Sequence, residues 1–371
     1  MTRILFVLPL LGHPRLQNRI RALEAAGADV RVLAFERMVP FKGEDLPPYE
    51  LLGRLEDGNY FGRVRPYLGA VKKVRTAAAS ADLVYCFSAD LLSLVRLSIR
   101  GLKNAPKIVC EIGDIRAVLV EEGAKGKAAR LVERPVVQQA DLVVVTSEAF
   151  LTGYYAGVQG LSDLPGFVLE NKVASASLPA VQEPDEDWDG VLRIVFSGLM
   201  CCTRSWDVLD RLATVGGERV QIRLHGILQA GLERLEEEVK SRPNVSYFGP
   251  FEAPRELPAV FGGADLVWIA HAYGKANQAW SRANRFYQAG YFKKPMVAQR
   301  GTEDARVVEQ ESFGPIIDLH QPDAAVEQLL AIQREQMLAW RERVAAAPRS
   351  LFELTDEHER LLARMQSLFP L

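Results

Sequence analysis

No stretch of this 371-residue chain reaches the roughly 18 uninterrupted apolar residues of a membrane-spanning helix. The nearest candidate, Ile4 to Leu11, has only Arg3 ahead of it and the polar run from His13 to Arg21 behind it. It is too short to span and has no cleavage site, so it reads as a buried strand and the expected location is the cytoplasm. Cysteine is scarce. Cys86, Cys110, Cys201 and Cys202 have no CxxC spacing, which argues against a cysteine zinc site or a disulfide scaffold and fits a reducing compartment. Net charge is nearly absent too: 45 Lys plus Arg against 47 Asp plus Glu leave −2, so no global field draws the chain to nucleic acid. There is no GxxxxGK[ST], which removes P-loop chemistry, and no GxGxxG after the first strand. What is present is ordinary for a globular protein, 48% hydrophobic and 25% charged residues over a length that suits two domains.

Short apolar runs alternate with amphipathic stretches. Arg3–Leu10, Asp29–Ala34, Leu83–Phe87, Lys107–Glu111 and Leu142–Thr146 read as strands, with Pro14–Ala26 as the first helix. This rhythm predicts a parallel sheet covered on both faces. It stops at the acidic, proline-bearing segment 179–190, which reads as a linker, and restarts beyond it. Leu192–Gly198, Val220–Gly226, Val245–Gly249, Leu266–His271 and Pro295–Ala298 form the second set of strands, with helices over Trp206–Ala213, Leu228–Ser241, Ser281–Tyr291, Asp323–Gln336 and Leu351–Phe369. The expected fold class is α/β: two doubly wound, Rossmann-like domains, 1–178 and 191–348, facing across a cleft. Ligands of such domains bind beyond the carboxyl ends of the strands.

Several residues at those ends bear chemistry. Gly12 sits between strand one and its helix, where backbone meets an anion or merely turns tightly. Gly198 ends the first strand of domain two, and Arg204 begins the next helix, where a guanidinium either grips a diphosphate or stands as a surface arginine. Glu111 and Asp114 follow a domain-one strand and are candidate general bases; Asp114 also suits a helix N-cap. Asp185 to Asp189 superficially resembles metal-binding Asp-x-Asp, but its place in a linker predicts solvated charge, and no metal is expected. Between residues 60 and 107 nine basic residues face only Asp82 and Asp90, a local +7 that the rest of the chain offsets. That stretch suits contact with an anionic membrane leaflet and equally a solvated helix face.

The most informative segment is Trp280 to Ala298. Asn-Arg-Phe-Tyr-Gln-Ala followed by Lys-Pro-Met-Val-Ala resembles the nucleotide-sugar signature of family 4 glycosyltransferases of the two-domain B type. Tyr247-Phe-Gly-Pro, Ala264-Asp-Leu, Gly301-Thr302 and Glu170-Asn171 are similar to the family's other segments in the same order. The resemblance implies a glycosyltransferase in which Arg204 and Arg285 neutralise the leaving diphosphate without a metal. It places Asn284, Tyr287 and Gln288 along the nucleotide and ribose, His225 and Gly226 near the base, and Gly12 and Gly198 at close backbone approaches. It also implies a UDP- or GDP-type donor as substrate, no cofactor, a glycan or lipid-linked acceptor on domain one, and a terminal helix crossing back to that domain. The chain departs from the pattern at Trp280 and Gln288, where the family carries glutamates, and at Leu199, where it carries arginine. A nucleotide-sugar 2-epimerase of the same architecture and a non-catalytic nucleotide-binding scaffold stand as alternatives.

Overall fold

The apolar runs become strands because each is flanked by glycine or polar turns and buried on both faces. The computed structural model describes every residue except 13, 38–45, 56–60, 176–177, 179–180, 182–186, 230–231, 233, 273–275 and 370–371. The chain divides into two units: Met1–Glu170 with Thr355–Leu371, and Asn171–Leu354.

Unit one begins β1 (Arg3–Leu8), α1 (Pro14–Ala25), β2 (Asp29–Arg37), β3 (Glu50–Leu55), α2 (Val64–Ala78) and β4 (Leu83–Phe87). It continues α3 (Ser88–Ile99), β5 (Lys107–Ile112), α4 (Ala124–Val137), β6 (Leu142–Val145), a π-helical turn over Phe150–Val158, and β7 (Gly166–Val168). Its sheet is parallel throughout in the order β3-β2-β1-β4-β5-β6-β7. The strand order therefore reverses between β1 and β4, the switch point at which doubly wound sheets take ligands. β3 and β7 escape an apolar-run search because they are half-exposed edge strands, and β3 carries Gly53.

Unit two contains β8 (Leu192–Met200), α5 (Thr203–Gly216), β9 (Val220–Leu228), α6 (Leu235–Lys240), β10 (Val245–Tyr247), α7 (Leu257–Phe261) and β11 (Leu266–Trp268). Then come α8 (Asn284–Tyr291), β12 (Met296–Gln299), α9 (Glu303–Glu311), β13 (Ile316–Ile317), α10 (Pro322–Leu330) and α11 (Arg334–Ala346). The sheet, β10-β9-β8-β11-β12-β13, is again parallel and reverses between β8 and β11. The helix expected over Asp323–Gln336 is two helices, broken at Ala331–Gln333 where a Gln333/Gln336 capping box starts α11.

The last helix, α12 (Glu357–Gln366), belongs to unit one. Leu361, Leu362 and Met365 pack with Ile4, Phe6 and Leu8 of β1 and Leu16, Ile20 and Leu23 of α1 in one buried cluster. Fully burying such a side chain contributes about 1.5–3 kcal/mol. The unit boundary falls at Glu170/Asn171, ahead of the expected linker. Much of 179–190 lies outside the described residues, Asp185 and Glu186 included. Its end is packed into unit two: Trp188 is buried against that core, Asp187 pairs with Arg334 at 2.7 Å and Asp189 with Arg193 at 2.6 Å. The aspartates here are held by arginines, and Arg193 draws the Asp189 carboxyl down to about 2.

Candidate functional site

In unit two the carboxyl end of β8 and the segment after β11 meet at Arg285. The helix α8 starts one residue earlier and turns this side chain inward, leaving it 7% exposed. Its Nη1 donates to the Ser197 carbonyl at 2.7 Å, its Nη2 meets His271 Nε2, and its guanidinium lies 4.6 Å above the Phe196 ring. No carboxylate pairs with it among the described residues. Asp304, buried in the first turn of α9, is engaged by the Ala283 N–H at 3.2 Å instead. Burial lowers the Arg285 pKa to about 10, so it stays charged near neutrality, and burial raises Asp304 to about 7. Cys202 caps α5 by accepting from Ser205 N at 3.4 Å and also accepts from Ala272 N at 3.3 Å, tying the α5 start to the segment after β11.

Next to Arg285 runs a close approach of two strands. Gly226 has φ +147°, and a Cβ there would fall on the Gly198 carbonyl, so only glycine fits. Tyr247 Oη donates to the Gly226 carbonyl at 2.9 Å. His225 stacks on Phe248, centroids 4.5 Å apart and planes 5° from parallel, while Phe248 is 58% exposed. Burial, then the Arg223 charge, lowers the His225 pKa. Three buried polar atoms have no hydrogen-bond partner here: Arg285 Nε, Ser197 Oγ and His225 Nε2. Such atoms are costly unless something completes them.

In unit one the chemistry gathers at β1, β4 and β5. Glu111 is fully buried; its Oε2 accepts from Tyr85 Oη at 2.6 Å and Arg19 Nε at 3.3 Å, and Arg15 Nε lies 3.7 Å from Oε1. Gly113 makes room for Arg15, since a Cβ there would strike its guanidinium. Arg19 also donates to the Leu169 carbonyl at 2.9 Å and meets His358 of α12 at 3.3 Å. Asp114 is 69% exposed and 4.0 Å from Arg15 Nη2. After β4, Ser88 has φ +72° and its Oγ meets Asp90, which also accepts from Tyr67 Oη at 2.8 Å and Arg63 at 3.0 Å. Burial alone would raise Asp90, but these hydrogen bonds outweigh it and hold the carboxyl below its usual range.

Residues 12–158 match the sequence profile described as a glycosyl transferase 4-like domain. The succinoglycan biosynthesis protein ExoL of Rhizobium meliloti (strain 1021) is 25% identical over 334 residues, 86% of this chain and 81% of that protein. The chain is a glycosyltransferase with a family 4-like amino-terminal domain. Solved structures agree on the B-type fold. Anabaena Alr3699/HepE, solved with UDP and glucose, superposes with a TM-score of 0.71 at 15% identity over 99% of this chain and 100% of that one. The lipopolysaccharide outer core galactosyltransferase WaaB gives 0.65 at 12% identity, covering 99% and 100%.

Of the residues expected in the donor site of this glycosyltransferase, the fold brings Gly198, His225, Gly226 and Arg285 to the same strand ends. Arg204 and Asn284 stand exposed in the first turns of α5 and α8. Gln288 is half-buried one turn further along α8. Tyr287 differs from expectation. It is fully buried in the core, edge-to-face with Phe286 at 5.4 Å, because it lies on the side of α8 that packs on the sheet. In unit one Gly12 occupies the turn between β1 and α1, and Glu111 is a strand residue clamped between two arginines. Asp114 is not a helix N-cap: the following 3₁₀ turn is capped at Arg116. No group of three His, Cys, Asp or Glu side chains able to hold a metal occurs among the described residues. Sequence reasoning missed His271, Asp304 and Asp90. The signal for His271 was available, a histidine at the end of an apolar run, and Thr302-Glu303-Asp304 is a helix-start pattern.

Proposed function

We propose that this glycosyltransferase transfers a sugar from a nucleotide-diphosphate donor to a glycan or a lipid-linked saccharide, working against the cytoplasmic face of a membrane. The carrying observation is the desolvated guanidinium of Arg285, which the nearby buried Asp304 influences without an ion pair within 4 Å, and whose Nε is left unsatisfied beside Ser197 Oγ and His225 Nε2 at the strand ends of unit two. A buried cation without a carboxylate partner calls for an anion. The UDP in the Anabaena structure of the same fold supports a nucleotide diphosphate as that anion. The stacked His225–Phe248 pair offers an aromatic face for the base, and Gln288 and Asn284 offer amide donors and acceptors for the ribose.

In this reading the bond from the anomeric carbon to the diphosphate oxygen breaks, and the leaving group keeps the electron pair. Arg285 and Arg204 neutralise the charge that develops there, so no metal or cofactor is required. The acceptor hydroxyl forms the new bond and gives its proton to Asp114, the exposed one of the two candidate carboxylates. Glu111 holds Arg15 and Arg19 in place.

Thermal unfolding with UDP, GDP and ADP tests the donor assignment. At a hundredfold excess over Kd one nucleotide should stabilise the fold by about 2.7 kcal/mol. Arg285→Ala should remove that shift and the slow donor hydrolysis together. No stabilisation by any of the three nucleotides, or an Arg285→Ala variant with full activity, would refute the reading.

A further inference from the structure

The helix α4 is amphipathic in the wrong sense for a helix that only covers a sheet. It buries Glu133, which accepts from Tyr154 Oη at 2.6 Å and Gln159 Nε2 at 2.5 Å. On its outer side it exposes Leu131 at 73% and Val132 at 70%. Across α3, the helix α2 exposes Val64 and Leu68, one helical turn apart, at 55% and 59%. Between the two helices lies a mostly apolar pocket of about 560 Å³ whose lining includes Val64 and Val132. Large apolar side chains clustered around a groove mark an interaction surface.

The charges beside them narrow the partner. Along α2, Arg65, Lys72, Lys73 and Arg75 have no carboxylate among them, and α4 carries Lys125, Lys127, Arg130 and Arg134 with only the buried Glu133. The other acids at this face are Glu121, paired with Lys125 at 3.3 Å, the exposed Glu122, and Asp90, which lines the pocket and is held by Arg63 and Tyr67, so the basic residues of α2 and α4 still outnumber them. Exposed Leu and Val flanked by Lys and Arg is the pattern of a helix that lies in the interface of an anionic bilayer. A second copy of this face would bring like charges together.

We propose that the α2–α4 face of unit one docks this protein on an anionic lipid bilayer, with Val64, Leu68, Leu131 and Val132 entering the headgroup boundary. This deepens the membrane-surface part of the reading above and extends it from the basic stretch before residue 107 to α4. The test is flotation of the full chain with vesicles of phosphatidylcholine alone and of phosphatidylcholine with phosphatidylglycerol in equal parts. The wild type should float with the anionic vesicles and lose most of that binding in high salt. The double variant Leu131→Glu, Val132→Glu should keep its unfolding temperature and its donor hydrolysis and lose about tenfold or more in anionic-vesicle partition. Arg285→Ala should float like the wild type, which separates failure of docking from failure of the donor site. Equal flotation of the double variant, absence of wild-type flotation, or a change of oligomeric state in the double variant would each overturn the proposal.

Discussion

Glu111→Gln distinguishes an anchor from a reacting base. The carboxylate is fully buried, Arg19 beside it is 3% exposed in its side chain, and Arg15 is 20% exposed. Taking away its charge leaves Arg19 with the Leu169 carbonyl and His358, which burial and the Arg19 charge hold neutral by lowering its pKa to about 4. Removing one partner of a buried ion pair costs about 3–5 kcal/mol, and glutamine keeps one acceptor oxygen, so about 3 kcal/mol is expected. For a unit of this size that corresponds to a fall of about 6–12 °C. All five tryptophans lie in unit two, at 188, 206, 268, 280 and 340, so their fluorescence reports that unit while far-ultraviolet dichroism reports both. The variant should therefore shift the dichroism transition, with a smaller effect on the tryptophan signal. Asp114→Asn is the converse case. Its side chain is 69% exposed, so stability should stay within about 0.5 kcal/mol while transfer to acceptor falls about a hundredfold. A Glu111→Gln variant that is less than about 1 kcal/mol destabilised yet inactive would refute the assignment of roles.

His358 should make the fold acid-sensitive. Its folded pKa of about 4 lies below the unfolded 6.5, so the unfolded chain binds more protons between those values and stability falls as pH drops through that window, by up to about 3 kcal/mol. Asp304 has the opposite sign, its raised folded pKa of about 7 costing stability as pH rises from 3.8, so the difference between wild type and His358→Gln in denaturant titrations isolates the histidine. A His358→Gln chain with the same acid profile as wild type would count against this. Gly226→Ala should destabilise unit two by about 2 kcal/mol or more, read by tryptophan fluorescence in urea, because the new methyl meets the Gly198 carbonyl at a φ of +147°. A neutral result there would mean that the two strand ends part at little cost.

The sheets were legible because continuous apolar runs bounded by polar turns are a direct record of two-sided burial. Leu83–Phe87 matches β4 at both ends, and the first sets of strands agree with β1, β2, β5 and β6 to within three residues. What escaped were edge strands such as β7 and β13, which are two or three residues long and leave no pattern. At the site the position of Arg285 was readable from its motif, but its state was not. Burial, the His271 contact and the missing carboxylate arise from residues 14 or more positions apart that only the parallel strand order brings together. Tyr287 shows the converse limit, since a motif position does not say which side of a short helix faces the sheet. Glu111 and Asp114 sit three residues apart and look alike as letters. Their difference, fully buried against mostly exposed, comes from Arg15 and Arg19 on α1.

The return of α12 to unit one sets the order of synthesis against the order of assembly. When Glu170 leaves the ribosome, the pocket that will receive Leu361, Leu362 and Met365 is an open apolar surface. The 184 residues of unit two must still be made, which takes roughly 10–40 s at about 5–20 residues per second. Unit two is continuous and is released whole before unit one has its final helix. During that interval the nascent first unit is the part of the chain most in need of a chaperone, and expression of residues 1–170 alone should give an aggregation-prone fragment, whereas a fusion carrying 355–371 restores its missing wall.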